Sequence, residues 1–279
     1  MTENPVLATK YPGVLAQLVP YVVATPDMIP LLNLPPFGVP VGLSVNPLRM
    51  DSRPFLERIQ VIDRLSFGPR GLHMPQWIFF DGAAITGAVF GFAIPQNQLT
   101  SSEREVLQVK KGDPDWIPLS IYAAIPSHQP GVWVGHNLSS LKSLVPHRPW
   151  QGLGLLTKAL ALKMFQADFQ CGVTQWSTGA LHIHTRFGPL ELLSAYTPAH
   201  TRPDSLTYRL KVEEPHLRAA VGDPEYSIVR LPPDMWLEGR DTQAMLRLQD
   251  RLEKGEKAVI CGQPEGKKEE SRVPVAFLK

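Results

Sequence analysis

The chain has 279 residues, of which 43% are hydrophobic and 19% charged, and its formal net charge at pH 7 is +2. This composition is typical of a globular protein with one large core or two modest ones. It gives no support for a nucleic-acid-binding surface, and no apolar stretch approaches the roughly 20 residues that span a bilayer.

The N-terminal sequence and the cysteines indicate a cytoplasmic location. Glu3 and Lys10 precede any hydrophobic run, unlike the arrangement in a secretory signal. Cys171 and Cys261 lie far apart in the sequence and form neither a disulfide framework nor a metal-ligand spacing. We therefore expect a cytoplasmic protein that holds no metal and binds neither nucleic acid nor a membrane.

The first third of the chain predicts a lead-in followed by a strand and a helix. Residues 1–37 are rich in proline and leucine, which predicts an irregular or partly helical segment that wraps the core. Residues 39–50 alternate enough for a strand. Residues 51–54 then supply an N-cap and a proline, which favour a helix start, and residues 55–67 form an amphipathic pattern.

Strand signals dominate the middle of the chain. Two β-rich runs on either side of Asp81-Gly82 predict a hairpin over residues 77–94. Residues 96–116 are polar and lack an apolar period, so we expect a loop there, with a short helix around residues 101–109 as an option. Strands are predicted at residues 116–124 and 132–145.

The most informative segment is the glycine turn Gln151-Gly152-Leu153-Gly154, which lies between a strand-like run and a helical pattern that continues to about residue 167. Paired glycines let the backbone approach a phosphate closely. The unpaired N–H groups of a first helical turn, at the positive end of the helix dipole, then point at that anion. The segment therefore predicts a pyrophosphate site, and a plain turn before a helix is the alternative.

Beyond this helix the sequence predicts shorter elements. A strand is expected at residues 172–176, a short helix at 180–187, and strands at 190–196 and 205–212. Residues 213–262 predict an extension with a helix from residue 235 to about 254 and a strand at 257–261. Charged residues begin the segment 263–279, which is expected to be a flexible tail.

The order of these elements resembles that of the GNAT acetyltransferase superfamily. The family's phosphate-turn motif, Gln/Arg-x-x-Gly-x-Gly/Ala, is similar to residues 151–156 and follows the matching Val145-Pro146. The family's short fourth helix closes with Phe-Gly, as Phe187-Gly188 does here. Leu156 departs from the motif, since the family has a small residue there. The resemblance covers roughly residues 40–212.

The resemblance implies an α+β fold over residues 38–212, with a C-terminal helical extension. Its sheet is expected to be mixed, mostly antiparallel, flanked by helices and splayed between its fourth and fifth strands. It also implies acetyl-CoA or another acyl-CoA as cosubstrate. The implied cofactor-binding residues are Ser143, Leu144 and Val145 for the pantetheine arm, and Gln151, Gly152, Leu153, Gly154, Leu155 and Leu156 for the pyrophosphate.

The implied reaction is transfer of an acyl group, other than an aminoacyl group, to an amine that attacks the thioester directly. The family commonly has a tyrosine four residues before the glycine of the fourth helix, and this chain has His184 there. Histidine can donate a proton to the departing thiolate near neutral pH. Alternatively, His182 and His184 are ordinary helix residues, and their i,i+2 spacing on a helix argues against a metal site.

Two other functions stay open at this point. One is a GNAT-fold acyl-CoA decarboxylase, and the other is a non-catalytic protein that binds CoA or a partner, which Leu156 and the missing tyrosine favour. The expected partner is a small-molecule or peptide amine, with a homodimer as an option. Further candidates for a general base, which the sequence does not rank, are His136, His147, Asp81 and Glu57.

Overall fold

The computed structural model describes residues 7–71, 88–266 and 270–278, which contain seven α-helices and eleven strands. The helices are α1 Pro12–Gln17, α2 Arg53–Phe67, α3 Ser101–Val106, α4 Leu153–Met164, α5 Gly179–His184, α6 Glu214–Ala220 and α7 Thr242–Glu253. The strands are β1 Val19–Val23, β2 Leu43–Val45, β3 Ala88–Pro95, β4 Trp116–Pro126, β5 Val132–Ser140, β6 Phe169–Gln175, β7 Leu190–Ser194, β8 Ser205–Lys211, β9 Met235–Glu238, β10 Lys257–Ile260 and β11 Arg272–Leu278.

The chain divides into two compact units, and the first comprises residues 1–130, 135–166 and 221–223. Its strands are ordered β2-β1-β3-β4-β5. Strand β3 pairs antiparallel with β1 and β4, whereas β1 and β2 are parallel. Helices α2 and α4 pack against β4, and α4 also packs against β3. Apolar side chains at helical spacing explain the packing of α2, since Leu56, Ile59 and Ile62 are all buried.

Close backbone approach in the first unit depends on Gly91 in the middle of β3. A Cβ at this position would overlap the carbonyl oxygen of Ser120 and the ring of Tyr21. The Tyr21 hydroxyl donates a hydrogen bond of 2.9 Å to that same carbonyl oxygen. Glycine is therefore required here by space, because the tyrosine ring occupies the volume that a side chain would take.

The second unit comprises residues 131–134, 167–220 and 224–279, and its strands are ordered β6-β8-β7-β10-β11-β9. All five of these neighbouring pairs are antiparallel. Val132–Val134, the part of β5 in this unit, pairs parallel with Phe169–Cys171 of β6. The predicted α+β class with mostly antiparallel pairing is thus confirmed. The predicted splay between the fourth and fifth strands of the family sheet stays a prediction.

Most central elements form where the sequence predicts them. Helix α2 and strands β4, β6, β7, β8 and β10 all overlap their predicted ranges, and the polar segment 96–116 does contain a short helix, α3. Of the predicted hairpin, residues 88–94 lie in β3, and residues 77–87 lie outside the described residues. None of the described helices combines the length and apolarity needed to cross a membrane.

The N-terminal segment differs from the prediction of an irregular lead-in over residues 1–37. It contains α1 and β1, and β1 lies between β2 and β3 in the sheet of the first unit. The boundary predicted at residue 38 therefore falls inside a unit. The prolines concealed this strand, since Pro20 lies within it and pairs in register with Phe92. The strand predicted over residues 39–50 is confined to Leu43–Val45.

The C-terminal segment differs more strongly. The helix predicted from residue 235 is replaced by β9, and α7 begins later, capped by Asp241, whose side chain accepts from the Ala244 N–H at 2.9 Å. The flexible tail predicted over residues 263–279 contains β11, which pairs with both β10 and β9. Four consecutive residues of β11, 273–276, are buried, and Val273 and Val275 are buried completely. The preceding charged run hid this short apolar strand from composition-based reasoning.

Replacing Val275 by aspartate tests whether β11 is a core strand. The side chain is fully buried, so Val275→Asp places an unpaired charge in the core and should lower the free energy of unfolding by about 3–5 kcal/mol. Leu278→Asp is the control on the same strand, because Leu278 is 43% exposed. Urea denaturation measures both. Equal stability of the two variants would mean that the segment is a tail.

Candidate functional site

The glycine turn has a backbone that only glycine adopts readily. Gly152 is the N-cap of α4 and has a φ of +76°, in the left-handed region. A Cβ at Gly152 would also overlap the ring of Tyr11. Conformation and close approach thus both require a residue without a side chain at this position. The predicted turn before a helix is present, and α4 begins at Leu153.

In the first turn of α4, some backbone N–H groups have a backbone acceptor and two have no acceptor within the helix. The Leu153 N–H donates to the Trp150 carbonyl at 3.2 Å, and the Leu156 N–H donates to the Gly152 carbonyl at 2.9 Å. Gly154 and Leu155 occupy the second and third helical positions, where an α-helix supplies no internal acceptor. Since no acidic residue lies in this first turn, these amides meet no carboxylate of their own helix. They are the donors best placed for an anion.

The side chains around the turn separate into exposed and buried groups. Gln151 is exposed, whereas Leu156 is completely buried and belongs to the core of the first unit. Leu156, the departure from the family motif, therefore does not fill the solvent side of the turn. Trp150 is also fully buried, and its Nε1–H donates to Gln17 Oε1 at 3.0 Å. This tryptophan anchors the turn and is not a movable cover.

A cation lies near the turn, which the sequence did not indicate. Lys10 Nζ is 5.3 Å from the centroid of the Tyr11 ring, the same ring that packs against Gly152. Lys10 itself is exposed, so its ammonium is hydrated and able to move. Lys10 and Tyr11 are adjacent in the sequence, but only the tertiary structure brings this pair to the glycine turn.

A buried carboxylate fixes the segment that leads into the turn. Glu103 of α3 is 1% exposed and accepts from Arg148 Nε at 2.6 Å and Arg148 Nη2 at 2.7 Å. Its Oε1 also lies 2.7 Å from His147 Nε2. In addition, Glu103 forms a capping box with Thr100. The polar segment 96–116 thus has a structural task, which its composition did not indicate.

The charge of Glu103 is strongly stabilised by these partners. Hydrogen bonds from Arg148 hold the pKa of the Glu103 carboxyl well below its usual range, with further lowering from Thr100 and His147. The same contacts raise the pKa of Arg148. Arg148 also lies over the Trp150 ring, with its Cζ 5.3 Å from the ring centroid. His147, a candidate base in sequence, is engaged here by Glu103.

Two polar pairs connect α2 to the strand that precedes the turn. Asn137 Nδ2 donates to Asp63 Oδ1, and the hydroxyl groups of Ser66 and Ser139 share a hydrogen bond. Asp63, Asn137 and Ser139 are buried, so these bonds are shielded from water. They fix β5 in its first-unit part. Sequence reasoning missed all four residues, because polar residues on a strand and a helix do not reveal their partners.

The predicted pantetheine residues have a different backbone from the one expected. Strand β5 ends at Ser140, and Leu141–Leu144 forms a 3-10 helical turn that contains Ser143 and Leu144. The Val145 N–H donates to the Lys142 carbonyl at 3.2 Å, which occupies its donor. The predicted strand over residues 132–145 is therefore too long. An acyl-CoA arm that pairs like an extra strand needs extended backbone, and that ends at Ser140.

His184 lies in the second unit, at the end of α5. It is 8% exposed, and its ring packs against the Tyr208 ring with 5.1 Å between ring centroids and an angle of 37° between the ring planes. Burial raises the pKa of the Tyr208 hydroxyl, which also contacts Gln170 Nε2 at 3.2 Å. Gly172 leaves room for this hydroxyl, since a Cβ there would lie 2.7 Å from it.

The other histidine and acid candidates gain no support. His182 is half-buried, and burial followed by the charge of Arg186 lowers its pKa. His136 and Glu57 are exposed, and Asp81 lies outside the described residues. Among residues 7–71, 88–266 and 270–278, no group of three or more histidine, cysteine or acidic side chains is arranged to hold a metal ion.

No protein-family model and no characterised protein sequence matches the chain. Among solved structures, it is similar to an aminoglycoside 6'-acetyltransferase type Ii, with 10% identity and a TM-score of 0.38 over 57% of this chain and 90% of that chain. It is similar to the ribosomal-protein-S18-alanine N-acetyltransferase from Escherichia coli, with 11% identity and a TM-score of 0.38 over 60% and 91%. An N-acyl amino acid synthase from uncultured soil microbes gives 10% identity and a TM-score of 0.36 over 63% and 92%. Likeness at this level assigns no substrate and no residue role to this chain.

Replacing Glu103 by glutamine should make the free energy of unfolding change less as the pH falls into the acidic range. Because the folded pKa of Glu103 is depressed, its stabilisation is present above the unfolded pKa of about 4.3 and is lost as pH falls through the lower folded value. At pH 7, Glu103→Gln should lower the free energy of unfolding by about 1.5–3 kcal/mol. Urea denaturation from pH 7 down to pH 3 should show a flatter acid limb. Glu105→Gln, an exposed change on the same helix, is the control.

Proposed function

We propose that this chain is an acyl-CoA-dependent N-acyltransferase of the GNAT type, with acetyl-CoA as the first candidate donor and an amine as acceptor. The observation that carries the proposal is the start of α4, where a left-handed glycine precedes two first-turn amides without an internal acceptor. The diphosphate of coenzyme A has the charge and the oxygen acceptors that such a turn binds.

The rigidity of the turn supports diphosphate binding. Ten of the twelve residues of α4 are buried, so the position of its first amides is set by the core. The ion pair of Glu103 with Arg148 fixes the chain segment that precedes the turn. Because these donors are already positioned, the protein loses little conformational entropy when the ligand binds. Lys10 supplies a positive charge nearby without needing to be part of the rigid frame.

The pantetheine arm is proposed to lie along β5 and not along residues 143–145. Pairing of β5 with β6 covers Val132–Val134, three of the nine residues of the strand. Residues 135–140 continue the extended backbone toward the turn, and Asn137 and Ser139 within them are fixed by α2. Hydrogen bonds between the backbone of β5 and the amide groups of pantetheine would hold the arm alongside β5, as a neighbouring strand would be held.

The proposed chemistry transfers the acyl group directly. The amine nitrogen forms a bond to the thioester carbonyl carbon, the carbon–sulfur bond breaks, and its electron pair stays on sulfur. The amine loses a proton to water or a base, and His184 donates a proton to the departing thiolate. Holding both reactants in contact supplies much of the rate.

A non-catalytic CoA-binding protein is the second candidate. The observation that favours it is the environment of His184, which is 8% exposed and packed against the Tyr208 ring, as a core histidine would be. Such a protein would bind acyl-CoA at the same turn and release no thiol when amines are added. The two functions therefore share the binding prediction and differ in turnover.

A charge placed at Gln151 tests the diphosphate site. Gln151 is exposed, so Gln151→Glu keeps shape and fold but repels the diphosphate, and the Kd for acetyl-CoA should rise at least tenfold. Isothermal titration calorimetry measures this. Gln151→Ala separates loss of the amide from gain of charge, and Gln243→Glu makes the same charge change at an exposed position on α7. The site is elsewhere if Gln151→Glu binds as tightly as the wild type.

Replacing His184 by phenylalanine tests the proposed proton donor. Phenylalanine retains a ring for stacking on Tyr208, so His184→Phe should fold and bind acetyl-CoA normally. Turnover, measured as free thiol released with a panel of amines, should fall at least tenfold. His182→Phe, on the same helix and half-buried, is the matched control. Unchanged turnover in His184→Phe would remove this role, and no turnover in the wild type would favour the non-catalytic alternative.

A further inference from the structure

The second unit contains a cavity of about 250 Å³ that the proposed function does not use. Its wall is formed by the chain that follows α5, the end of α6, the irregular segment at residues 226–230 and the chain that follows β10. All of these residues belong to the same compact unit. The cavity therefore depends on the C-terminal segment, which goes beyond the predicted GNAT-like region.

The charge of the cavity wall is positive. Arg186 and Arg230 line the cavity, and its lining contains no aspartate or glutamate. Neither arginine forms an ion pair with a residue that the structure describes. Both arginines are exposed, so their guanidinium groups are hydrated and able to reorient toward a ligand. Guanidinium groups bind carboxylate and phosphate through paired N–H donors.

The remaining wall combines hydrogen-bonding and apolar groups. Ser227, Tyr226 and Gln263 contribute polar atoms, and Ala219 and Ile228 contribute apolar surface. The wall is also held in shape, because Gln263 Nε2 donates to Thr185 Oγ1 at 2.9 Å, and Thr185 Oγ1 donates to the Leu181 carbonyl at 2.8 Å. This combination matches a molecule with an anionic group and a short carbon skeleton.

Size narrows the class of ligand further. A volume of about 250 Å³ lies below the roughly 300–1,000 Å³ of pockets for drug-sized ligands. We infer that this cavity is a binding site for a small organic anion, recognised through its carboxylate or phosphate group by Arg186 and Arg230. The site is separate from the proposed diphosphate turn and does not depend on it.

Calorimetric titration with three probes tests the site, namely succinate, inorganic phosphate and uncharged succinamide. The wild type should bind succinate or phosphate at this cavity and should not bind succinamide there, because the anionic group supplies the recognition. Arg186→Gln and Arg230→Gln should each weaken binding at least tenfold, and the double variant should abolish it. Arg247→Gln, which changes an exposed arginine of α7 outside the cavity lining, should bind as the wild type does.

The outcomes also separate this site from the diphosphate turn. The double arginine variant should keep its affinity for acetyl-CoA, and Gln151→Glu should keep its affinity for succinate or phosphate. Preference for succinate or for phosphate identifies the source of the anionic group. The inference is overturned if the wild type binds neither anion, or if the double variant binds as the wild type does. It is also overturned if phosphate binding is lost in Gln151→Glu and retained in the double variant.

Discussion

Helix α4 begins at a glycine in the left-handed conformation, and this single backbone state determines what the first unit can bind. The Tyr11 ring excludes a side chain at Gly152, and burial of ten of the twelve residues of α4 prevents the helix from shifting. The amides of Gly154 and Leu155 are thereby held where a helix has no acceptor of its own. Loss of this constraint would leave an ordinary buried helix with no preorganised anion site.

The polar groups near this turn act mainly by positioning. Glu103 has no place in the proposed chemistry, yet it fixes Arg148 and His147, which lie four and five residues before Gly152. Asp63 and Asn137 hold the adjoining strand in a comparable way. Hydrogen bonds shielded from water are strengthened, so these residues are best explained as a frame that gives the turn and β5 one geometry.

The second unit has a different organisation, because its C-terminal strands extend the sheet beyond β7. Strand β11 lies between β10 and β9, and residues 226–230 and 261–263 contribute to the cavity wall. The segment that composition presents as a charged tail is thus part of a core and of a candidate binding site. A proposed acyl-CoA site in one unit and a proposed small-anion site in the other give the two units separate testable roles.

Local patterns in the sequence were enough for α2, for strands β4, β6, β7 and β8 and for the glycine turn, since periodicity and glycine conformation act within a few residues. They did not reveal β1, β9 or β11, whose short or proline-containing runs become strands only through pairing with distant chain. The predicted strand at β5 was too long, because Leu141–Leu144 forms a 3-10 turn that the apolar pattern does not distinguish from a strand. The partners of Glu103, the packing of Tyr11 on Gly152 and the cavity beside Arg186 are long-range contacts. Tertiary structure alone decided them, because a sequence pattern specifies which residues are polar but not which of them meet.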